Sequence, residues 1–181
     1  MPSVTRLLDS PAMAETLQRM AGEIVERCGG TEGLVLVGIQ RRGVELAARL
    51  ARLLEQSHGA AVPLGKLDIT LYRDDLSAIG PRPRVGETSL PGETAGCTVV
   101  LVDDVLYTGR TIRAALDELA DFGRPRRILL AVLVDRGGRE LPIQADVVGL
   151  TVPTTLDDRV DVAVKELDGK DMVELVEGAP V

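Results

Sequence analysis

Aromatic side chains are almost absent from this sequence, and their scarcity limits what the protein can bind. Phe, Tyr and Trp make up 2% of the 181 residues, with one Phe, two Tyr and no Trp. Many modules hold single-stranded nucleic acid by stacking its bases on rows of aromatic rings. We therefore expect no binding of that kind. Hydrophobic residues make up 45% of the chain. Because so few of them are aromatic, the core must consist of Val, Leu, Ile and Ala.

Histidine and cysteine are also scarce. His58 is the only histidine, in a turn-like Ser-His-Gly after a helical stretch, and we interpret it as a surface residue. Ser-His-Asp catalysis and histidine-rich metal sites therefore lose most of their support. Cys28 and Cys97 lack metal-site spacing, and neither a signal peptide nor an apolar run of roughly 20 residues is evident. A reducing cytoplasm is the simplest expected location.

Positive charge is in deficit, because the formal net charge is -7. Strong sequence-independent binding to nucleic acid relies on Lys and Arg displacing counterions from phosphates, so the composition argues against it. Local basic groups remain, namely the pair Arg41 and Arg42 and a richer cluster of arginines between residues 124 and 139. Solvated surface charge is the more common role for any one of these arginines.

Strands and helices alternate along most of the chain, whose length predicts a single domain over 1–181. Ser10, as N-cap, with Pro11 begins a helix that ends at paired glycines. Further helices are predicted at 44–56 and 109–123, and strands at 34–39, 64–71, 97–104, from 127, at 145–150 and from 160, with a hairpin at the Asp-Gly turn 168–169. This order predicts an α/β fold whose central, mostly parallel sheet is flanked by helices and binds ligands at the carboxyl ends of its strands. Residues from about 70 to 96 lack periodicity and predict a flexible flap or a β-hairpin.

The stretch VVLVDDVLYTGRT, residues 99–111, carries the main functional signal. A buried strand is predicted to end at Val102, which places Asp103 and Asp104 in the ligand crevice. The turn that follows brings consecutive backbone N–H groups to the start of a helix, where a phosphate is favoured. Thr108 and Thr111 add hydroxyls, so the unit suits a ribose 5-phosphate. The alternative is that the two aspartates only cap a helix and fill a turn.

This stretch resembles the phosphoribosyl pyrophosphate (PRPP) signature of type I phosphoribosyltransferases. The segments LDITLYRDDL (67–76), VGIQRRG (37–43) and VLVDRGGRELPIQADVVG (132–149) are similar to those of the pyrimidine operon attenuation and uracil phosphoribosyltransferase family. The resemblance extends from the first helix to about Val164. It implies the type I phosphoribosyltransferase fold, with a small hood formed by about 136–181 and the N-terminal segment, and a homodimer or higher homo-oligomer. The implied reaction converts uracil and PRPP to uridine monophosphate and pyrophosphate.

The resemblance also implies roles for individual residues. Asp103 and Asp104 would hold the ribose hydroxyls, residues 108–111 the 5-phosphate, and Arg41 and Arg42 the pyrophosphate, with Asp103, Asp104 and Arg41 as catalytic residues. Mg²⁺ would be held by the pyrophosphate and water rather than directly by the protein. Tyr72 and Arg73 would belong to the flap, although Tyr72 could instead be core and the arginine pair could cap carbonyls. The full set of expected substrate-binding residues is Arg41, Arg42, Val102, Asp103, Asp104, Val105, Leu106, Tyr107, Thr108, Gly109, Arg110, Thr111, Arg136 and Val160, the last two for uracil.

Binding of the operon's messenger RNA is the family's second activity, and here the sequence departs from the family pattern. RNA-binding members commonly carry His, His, Arg and Lys at the positions that are Gly22, Gly138, Gln144 and Leu150 in this chain. The basic residues that persist are Arg19, Arg27 and Arg139. We therefore predict that catalysis survives while tight RNA binding is weak or absent.

Three alternatives stay open on the sequence alone. The chain could be a regulator without useful catalysis that binds RNA in response to uridine nucleotides. It could be a phosphoribosyltransferase for another base, because residues 102–111 do not report on the base. It could also be a signalling receiver domain, which carries paired aspartates at a strand end, although a downstream phosphate loop has no purpose there.

Overall fold

The computed structural model describes residues 2–75, 77 and 85–179. The elements in these residues are β1 (Ser3–Leu8), α1 (Ser10–Cys28), β2 (Leu34–Ile39), α2 (Arg42–His58), β3 (Leu64–Leu67), β4 (Thr98–Leu106), α3 (Arg110–Ala120), β5 (Arg127–Asp135), β6 (Val147–Thr151), β7 (Arg159–Ala163), α4 (Lys165–Asp168) and β8 (Met172–Glu177). A 3-10 turn covers Thr70–Tyr72. Within the described residues, the strands form a five-stranded sheet in the order β3-β2-β4-β5-β6 and a three-stranded sheet in the order β1-β8-β7.

The large sheet is parallel throughout, as the alternation of strands and helices predicts. Every residue of β2 is buried, as are the first six of β4, because helices cover both faces. One core cluster joins a face of the sheet to α1, α2 and the small sheet, while the other lies between the opposite face and α3. The predicted α/β fold with a helix-flanked parallel sheet is confirmed.

The direction of strand addition reverses between β2 and β4. The chain passes from β2 to β3 on one side and then returns to β4 on the other side. The pairing of β4 with β2 ends at Val102, opposite Gly38, whereas β4 continues beside β5 as far as Leu106. A crevice therefore opens at the carboxyl end of β2, where open α/β sheets bind their ligands.

Several predicted boundaries are wrong. The cap of α1 is Asp9 and not Ser10, because the Asp9 carboxylate accepts a hydrogen bond of 3.0 Å from the N–H of Ala12. The strand predicted at 64–71 stops at Leu67, and the helix predicted to reach Gly123 stops at Ala120. The strand predicted at 97–104, whose buried part was expected to end at Val102, covers Thr98–Leu106, so it continues two residues beyond the aspartates.

The small sheet holds the one strand that the sequence analysis missed. β1 is mostly exposed and, among the described strands, pairs with β8 alone, so its sequence shows no buried, alternating pattern. The predicted pairing around the Asp-Gly turn is present, since β7 and β8 are antiparallel neighbours. Their connection, however, includes the short helix α4, which ends at Gly169. The hood that includes these strands stays a prediction.

Part of the predicted flap falls outside the described residues, namely 76 and 78–84. On its described sides, an isolated antiparallel bridge joins Lys66 and Ser89. His58 is exposed, as expected. Of the helices that the described residues form, none combines the length and the hydrophobicity that a membrane crossing requires.

Candidate active site

A cavity of about 290 Å³ lies at the reversal point of the sheet. Segments that follow β2 and β3 line it together with the end of β4 and the start of α3. The lining residues are Gln40, Arg41, Arg42, Asp68, Ile69, Thr70, Arg73, Asp103, Asp104, Val105 and Thr111. The structure thus brings together three predicted arginines and both predicted aspartates.

A second cavity of about 250 Å³ adjoins the first. Arg73 and Thr111 line both cavities. The remaining lining residues of the second cavity are Asp74, Asp75, Thr108 and Arg110. Together the two cavities run from the acidic pair to the start of α3, which is the direction in which a sugar phosphate would extend.

The acidic pair differs in exposure and in environment. Asp103 is only 6% exposed, whereas Asp104 is half-buried. Asp103 Oδ1 accepts the N–H of Asp104 at 2.9 Å, and Asp104 Oδ1 accepts the N–H of Val105 at 2.8 Å. Burial raises the pKa of Asp103 well above its usual range, and the neighbouring Asp104 carboxylate raises it further. The charged form of such a carboxylate is stabilised most by a ligand that brings positive charge or hydroxyl donors.

The predicted phosphate loop connects β4 to α3. Gly109 takes φ 91°, which suits glycine and turns the chain from the strand into the helix. The carbonyl oxygen of Thr108 accepts the N–H groups of Glu140 and Leu141 at 3.0 and 3.1 Å, and that of Tyr107 accepts Arg139 at 2.9 Å. The loop carbonyls are therefore engaged by residues 139–141, while the first N–H groups of α3 have no partner within the helix. This arrangement leaves amide donors for an anion.

The arginine pair lies where β2 leads into α2. Arg41 precedes α2, and Arg42 is its first residue, so the helix begins two residues earlier than predicted. α2 packs closely on β4 here, because a side chain at Gly43 would collide with the backbone of Val102 and lie 3.2 Å from the Cα of Asp103. Arg42 also pairs with Asp168 at 2.9 Å, which raises the pKa of the arginine.

The two predicted flap residues have different surroundings. Arg73 lines both cavities and pairs with Asp75 at 2.8 Å. Tyr72 packs against the core cluster beside α3, and its hydroxyl donates to Asp121. The structure therefore favours the core alternative for Tyr72 and places Arg73 at the site.

The two residues predicted for uracil, Arg136 and Val160, do not line either of the two cavities, so their role in binding the base stays a prediction. Arg136 is 2% exposed and donates to Thr154 Oγ1 at 3.0 Å and to the carbonyls of Thr155 and Asp158 at 3.2 and 2.6 Å. Its guanidinium carbon also lies 3.9 Å from the ring centre of Tyr107. Val160 is buried in the core cluster beside α1 and α2. The structure therefore does not place Arg136 on the wall of either cavity, and it uses this side chain to support the loop at 154–158.

Of the remaining predicted residues, some lie in the core, some form hydrogen bonds within the chain, and one is exposed. Val102 and Leu106 are 1% exposed and belong to the core. Arg139 donates to Tyr107, Gly137 and Ile143 carbonyls and to Asp135, and Arg19 donates to Glu23 and to the carbonyls of Val148 and Gly149. Arg27 is exposed. Two of the three arginines expected to contact RNA are thus largely occupied within the chain.

Sequence analysis gave no role to Gln40, Asp68, Thr70 or Asp74, which line the two cavities. The available signal was position, because Gln40 and Asp68 directly follow adjacent parallel strands. Asp74 accepts hydrogen bonds from Arg110, at 2.9 Å, and from Arg113. It therefore places a carboxylate beside the phosphate loop.

A larger cavity of about 360 Å³ lies beside α1, α2 and α4. Its main charged groups already satisfy one another, because Arg49 pairs with Glu166 at 2.5 Å and with Asp171 at 2.6 Å. It lies away from the reversal point of the sheet and holds no predicted site residue. The two smaller cavities are therefore the candidate active site.

Comparison with known proteins identifies the family of the chain. The family model of the phosphoribosyl transferase domain matches residues 3–168. The chain is 61% identical over 171 residues to the bifunctional protein PyrR of Thermus aquaticus, covering 94% of each chain. It is 56% identical over 174 residues to that of Chloroflexus aurantiacus, covering 96% of each.

Among solved structures, the hypoxanthine phosphoribosyltransferase of Trypanosoma cruzi matches with a TM-score of 0.72 and 19% identity, covering 96% of this chain and 97% of that one. At this identity the likeness shows the shared fold. The family match also rules against the receiver-domain alternative. The chain belongs to the phosphoribosyltransferase family, within the group of bifunctional PyrR proteins.

Proposed function

We propose that this protein is a uracil phosphoribosyltransferase that converts uracil and PRPP to uridine monophosphate and pyrophosphate. The single observation that carries the proposal is the placement of the acidic pair, the arginine pair and the start of α3 around two adjoining cavities. The identity of the base rests on the relationship to PyrR proteins, since these cavities do not report on it.

The 5-phosphate of PRPP binds at the start of α3. The first N–H groups of α3 have no carbonyl partner within the helix, although that of Arg110 donates to Thr108 Oγ1 at 3.3 Å. These groups and the positive end of the helix dipole favour an anion, and Thr108 and Thr111 line the same cavity with hydroxyl groups. Arg110 lines the same cavity, where its guanidinium pairs with Asp74 at 2.9 Å and with Glu140 at 2.7 Å. The contacts to the phosphate fix one end of the substrate and so orient the ribose toward β4.

The ribose hydroxyls donate to the carboxylates of Asp103 and Asp104. In the reaction, the C1–O bond to pyrophosphate breaks, N1 of uracil bonds to C1, and uracil loses its N1 proton. Positive charge builds on the ribose as the C1–O bond weakens, and the nearby carboxylates stabilise it. No side-chain nucleophile takes part, which agrees with the scarcity of histidine and cysteine.

The pyrophosphate lies toward Arg41, with Arg73 on the opposing segment. Among the described residues, there is no cluster of three or more His, Cys, Asp or Glu side chains arranged to hold a metal ion. Mg²⁺ would therefore be held by pyrophosphate oxygens and water rather than directly by the protein, and Asp103 and Asp104 would reach it only through the ribose hydroxyls or bound water. When bound, Mg²⁺ neutralises charge that develops on the leaving group.

The wider proposal follows the family resemblance. It includes a cytoplasmic location, a homodimer or higher homo-oligomer, and uridine nucleotides as ligands of the same site. Messenger RNA binding is proposed to be weak, because four basic positions of the family pattern are replaced and two of the persisting arginines are occupied within the chain. Sedimentation velocity tests the dimer.

The test of the proposed function is a pyrophosphate-release assay with PRPP, Mg²⁺ and a panel of bases that contains uracil, cytosine, hypoxanthine, guanine and orotate. We expect turnover with uracil alone, and a loss of about a hundredfold in Asp104→Asn, which removes a charge next to the ribose. Asp157→Asn is the control, since Asp157 is exposed and lies outside both cavities. Turnover with another base would overturn the assignment of uracil, and no turnover with any base would overturn the enzyme assignment.

A further inference from the structure

Asp68 joins two separate segments of the chain at the wall of the active-site cavity. Its Oδ1 accepts the N–H of Thr70 at 2.9 Å and the Thr70 hydroxyl at 2.5 Å, while its Oδ2 accepts the N–H of Gly86. Both carboxylate oxygens are therefore engaged within the chain. Partial burial acts to raise the pKa of Asp68, but the hydrogen bonds from Thr70 and Gly86 outweigh it and lower the pKa.

A second set of hydrogen bonds holds the backbone of Asp68 in position. The N–H of Asp68 donates to Thr88 Oγ1 at 2.9 Å, and the Thr88 hydroxyl donates to Glu118 Oε1 at 2.5 Å. Glu118 lies on α3 and is only 4% exposed. The position of Asp68 is thus tied to the helix whose first turn carries the proposed phosphate site.

The segment joined by Gly86 also contacts the residue that precedes Arg41. Gln40 Nε2 donates to the carbonyl of Glu87 at 2.7 Å. On the other side, the turn that begins at Thr70 leads directly into Arg73, on the cavity wall. One carboxylate therefore lies between the chain segments that present two of the proposed pyrophosphate contacts.

The close approach of Gly86 leaves no room for a side chain. A Cβ atom at this position would lie 2.6 Å from Asp68 Oδ2 and 3.4 Å from Gln40 Nε2. A side chain here would therefore require the segment or the Asp68 carboxylate to shift, which would disturb the hydrogen bond between them. Gly86 and Asp68 therefore form one unit.

We propose that Asp68 is a positioning residue for the pyrophosphate half of the site, holding the segments that present Arg41 and Arg73 at the distance that PRPP requires. The inference rests on the proposed function. Asp68 acts through these arginines rather than on the substrate, because its oxygens are already bonded to Thr70 and Gly86. Its loss is expected to weaken the use of PRPP and to leave the KM for uracil nearly unchanged.

The first test compares Asp68→Ala and Asp68→Asn with the wild type. We expect Asp68→Ala to raise the KM for PRPP about tenfold and to lower kcat, since small displacements of positioning groups have effects of this size or larger. Asp68→Asn keeps one acceptor oxygen and should recover part of the loss. Asp146→Asn is the control, because Asp146 accepts the N–H of Leu130 at 2.9 Å but lies away from the site. An equal rise in both KM values, or no change in either, would overturn the inference.

The second test is a double-mutant cycle. Gly86→Ala should raise the KM for PRPP about tenfold in the wild type but change it little in Asp68→Ala, because the collision partner is then absent. Gly22→Ala is the control, since a Cβ there meets nothing within 4 Å. If the two substitutions have additive effects on the KM for PRPP, Asp68 and Gly86 do not act as one unit.

An activity-independent measurement separates this inference from the proposed function. In the wild type, we expect the amide protons of Thr70 and Gly86 to be protected from hydrogen exchange, and both to lose protection in Asp68→Ala. Unchanged protection in the variant overturns the inference even if the enzyme is active. A wild type without PRPP-dependent turnover overturns the proposed function. Even then, loss of amide protection in Asp68→Ala would support the conclusion that Asp68 joins the segments of Thr70 and Gly86.

Discussion

Replacing Asp103 by asparagine is expected to make this protein more stable and less active at neutral pH. Asp103 is 6% exposed, and no Lys or Arg among the described residues pairs with it. Asparagine has nearly the same shape and keeps an oxygen for the N–H of Asp104, which Asp103 Oδ1 accepts at 2.9 Å. The substitution therefore removes a buried charge while it retains the local hydrogen bond.

The magnitude follows from the cost of burying a charge without a partner. We expect the free energy of unfolding at pH 7.5 to rise by about 1–2 kcal/mol, the lower part of the range for an unsatisfied buried polar or charged group. For a chain of this length the corresponding rise in Tm is about 2–8 °C. Turnover should fall by about a hundredfold, since a group that stabilises charge in the transition state is lost.

The stability difference between Asp103→Asn and the wild type should depend on pH in a defined direction. Burial and the neighbouring Asp104 raise the pKa of Asp103 in the folded state above its unfolded value. The stability that the wild type has below the unfolded pKa, about 3.9, is therefore lost as the pH rises toward the folded pKa. Asparagine does not titrate, so its advantage should be small near pH 4 and grow with increasing pH.

The assay is urea unfolding of the wild type and Asp103→Asn at several pH values between 4 and 8. Asp157→Asn, at an exposed position, is the control and should change stability by less than about 0.5 kcal/mol at each pH. If Asp103→Asn destabilises the protein at pH 7.5, or if its effect is constant with pH, then Asp103 is not an uncompensated buried charge and the reasoning fails.

Three further predictions concern Asp74, Arg49 and the expected RNA contacts. Asp74→Asn should lower the KM for PRPP about threefold, because the carboxylate that bonds Arg110 no longer competes with the substrate phosphate; steady-state kinetics that show a rise instead would contradict this. Arg49→Met should reduce the free energy of unfolding by about 1–2 kcal/mol, because it removes the closest cationic partner of Glu166 and of Asp171; urea unfolding measures it, and unchanged stability would refute it. Loss of four family RNA contacts at about 1 kcal/mol each predicts binding of the operon leader RNA weaker by about three orders of magnitude; nanomolar affinity in a filter-binding titration at physiological salt would show the prediction wrong.

The parts of the fold that repeat a simple pattern were predictable. The run LVLVGI is buried along its whole length, as an all-apolar strand in a parallel sheet must be. The motif at 99–111 places its two aspartates and its glycine turn at one edge of the sheet, because strand, turn and helix follow one another without interruption. In such stretches local sequence and tertiary environment agree.

Features that depend on distant contacts were not predictable. Strand β1 is stabilised by pairing with β8 at the other end of the chain, and its own residues are mostly exposed. Arg136 follows a strand end, as a ligand-binding residue often does, yet its donors are taken by Thr154, Thr155 and Asp158 from a loop far along the chain.

The choice of Ser10 over Asp9 as helix cap was a local ambiguity, because both residues are good caps.

The central claim is that a ribose phosphate lies with its hydroxyls on Asp103 and Asp104 and its phosphate at the start of α3. The most direct test is a crystal structure of the protein soaked with uridine monophosphate. The account predicts the phosphate within hydrogen-bond distance of the N–H groups of residues 109–111 and the ribose hydroxyls within the same distance of the two carboxylates. A nucleotide bound elsewhere, or one whose ribose faces away from both aspartates, would contradict it.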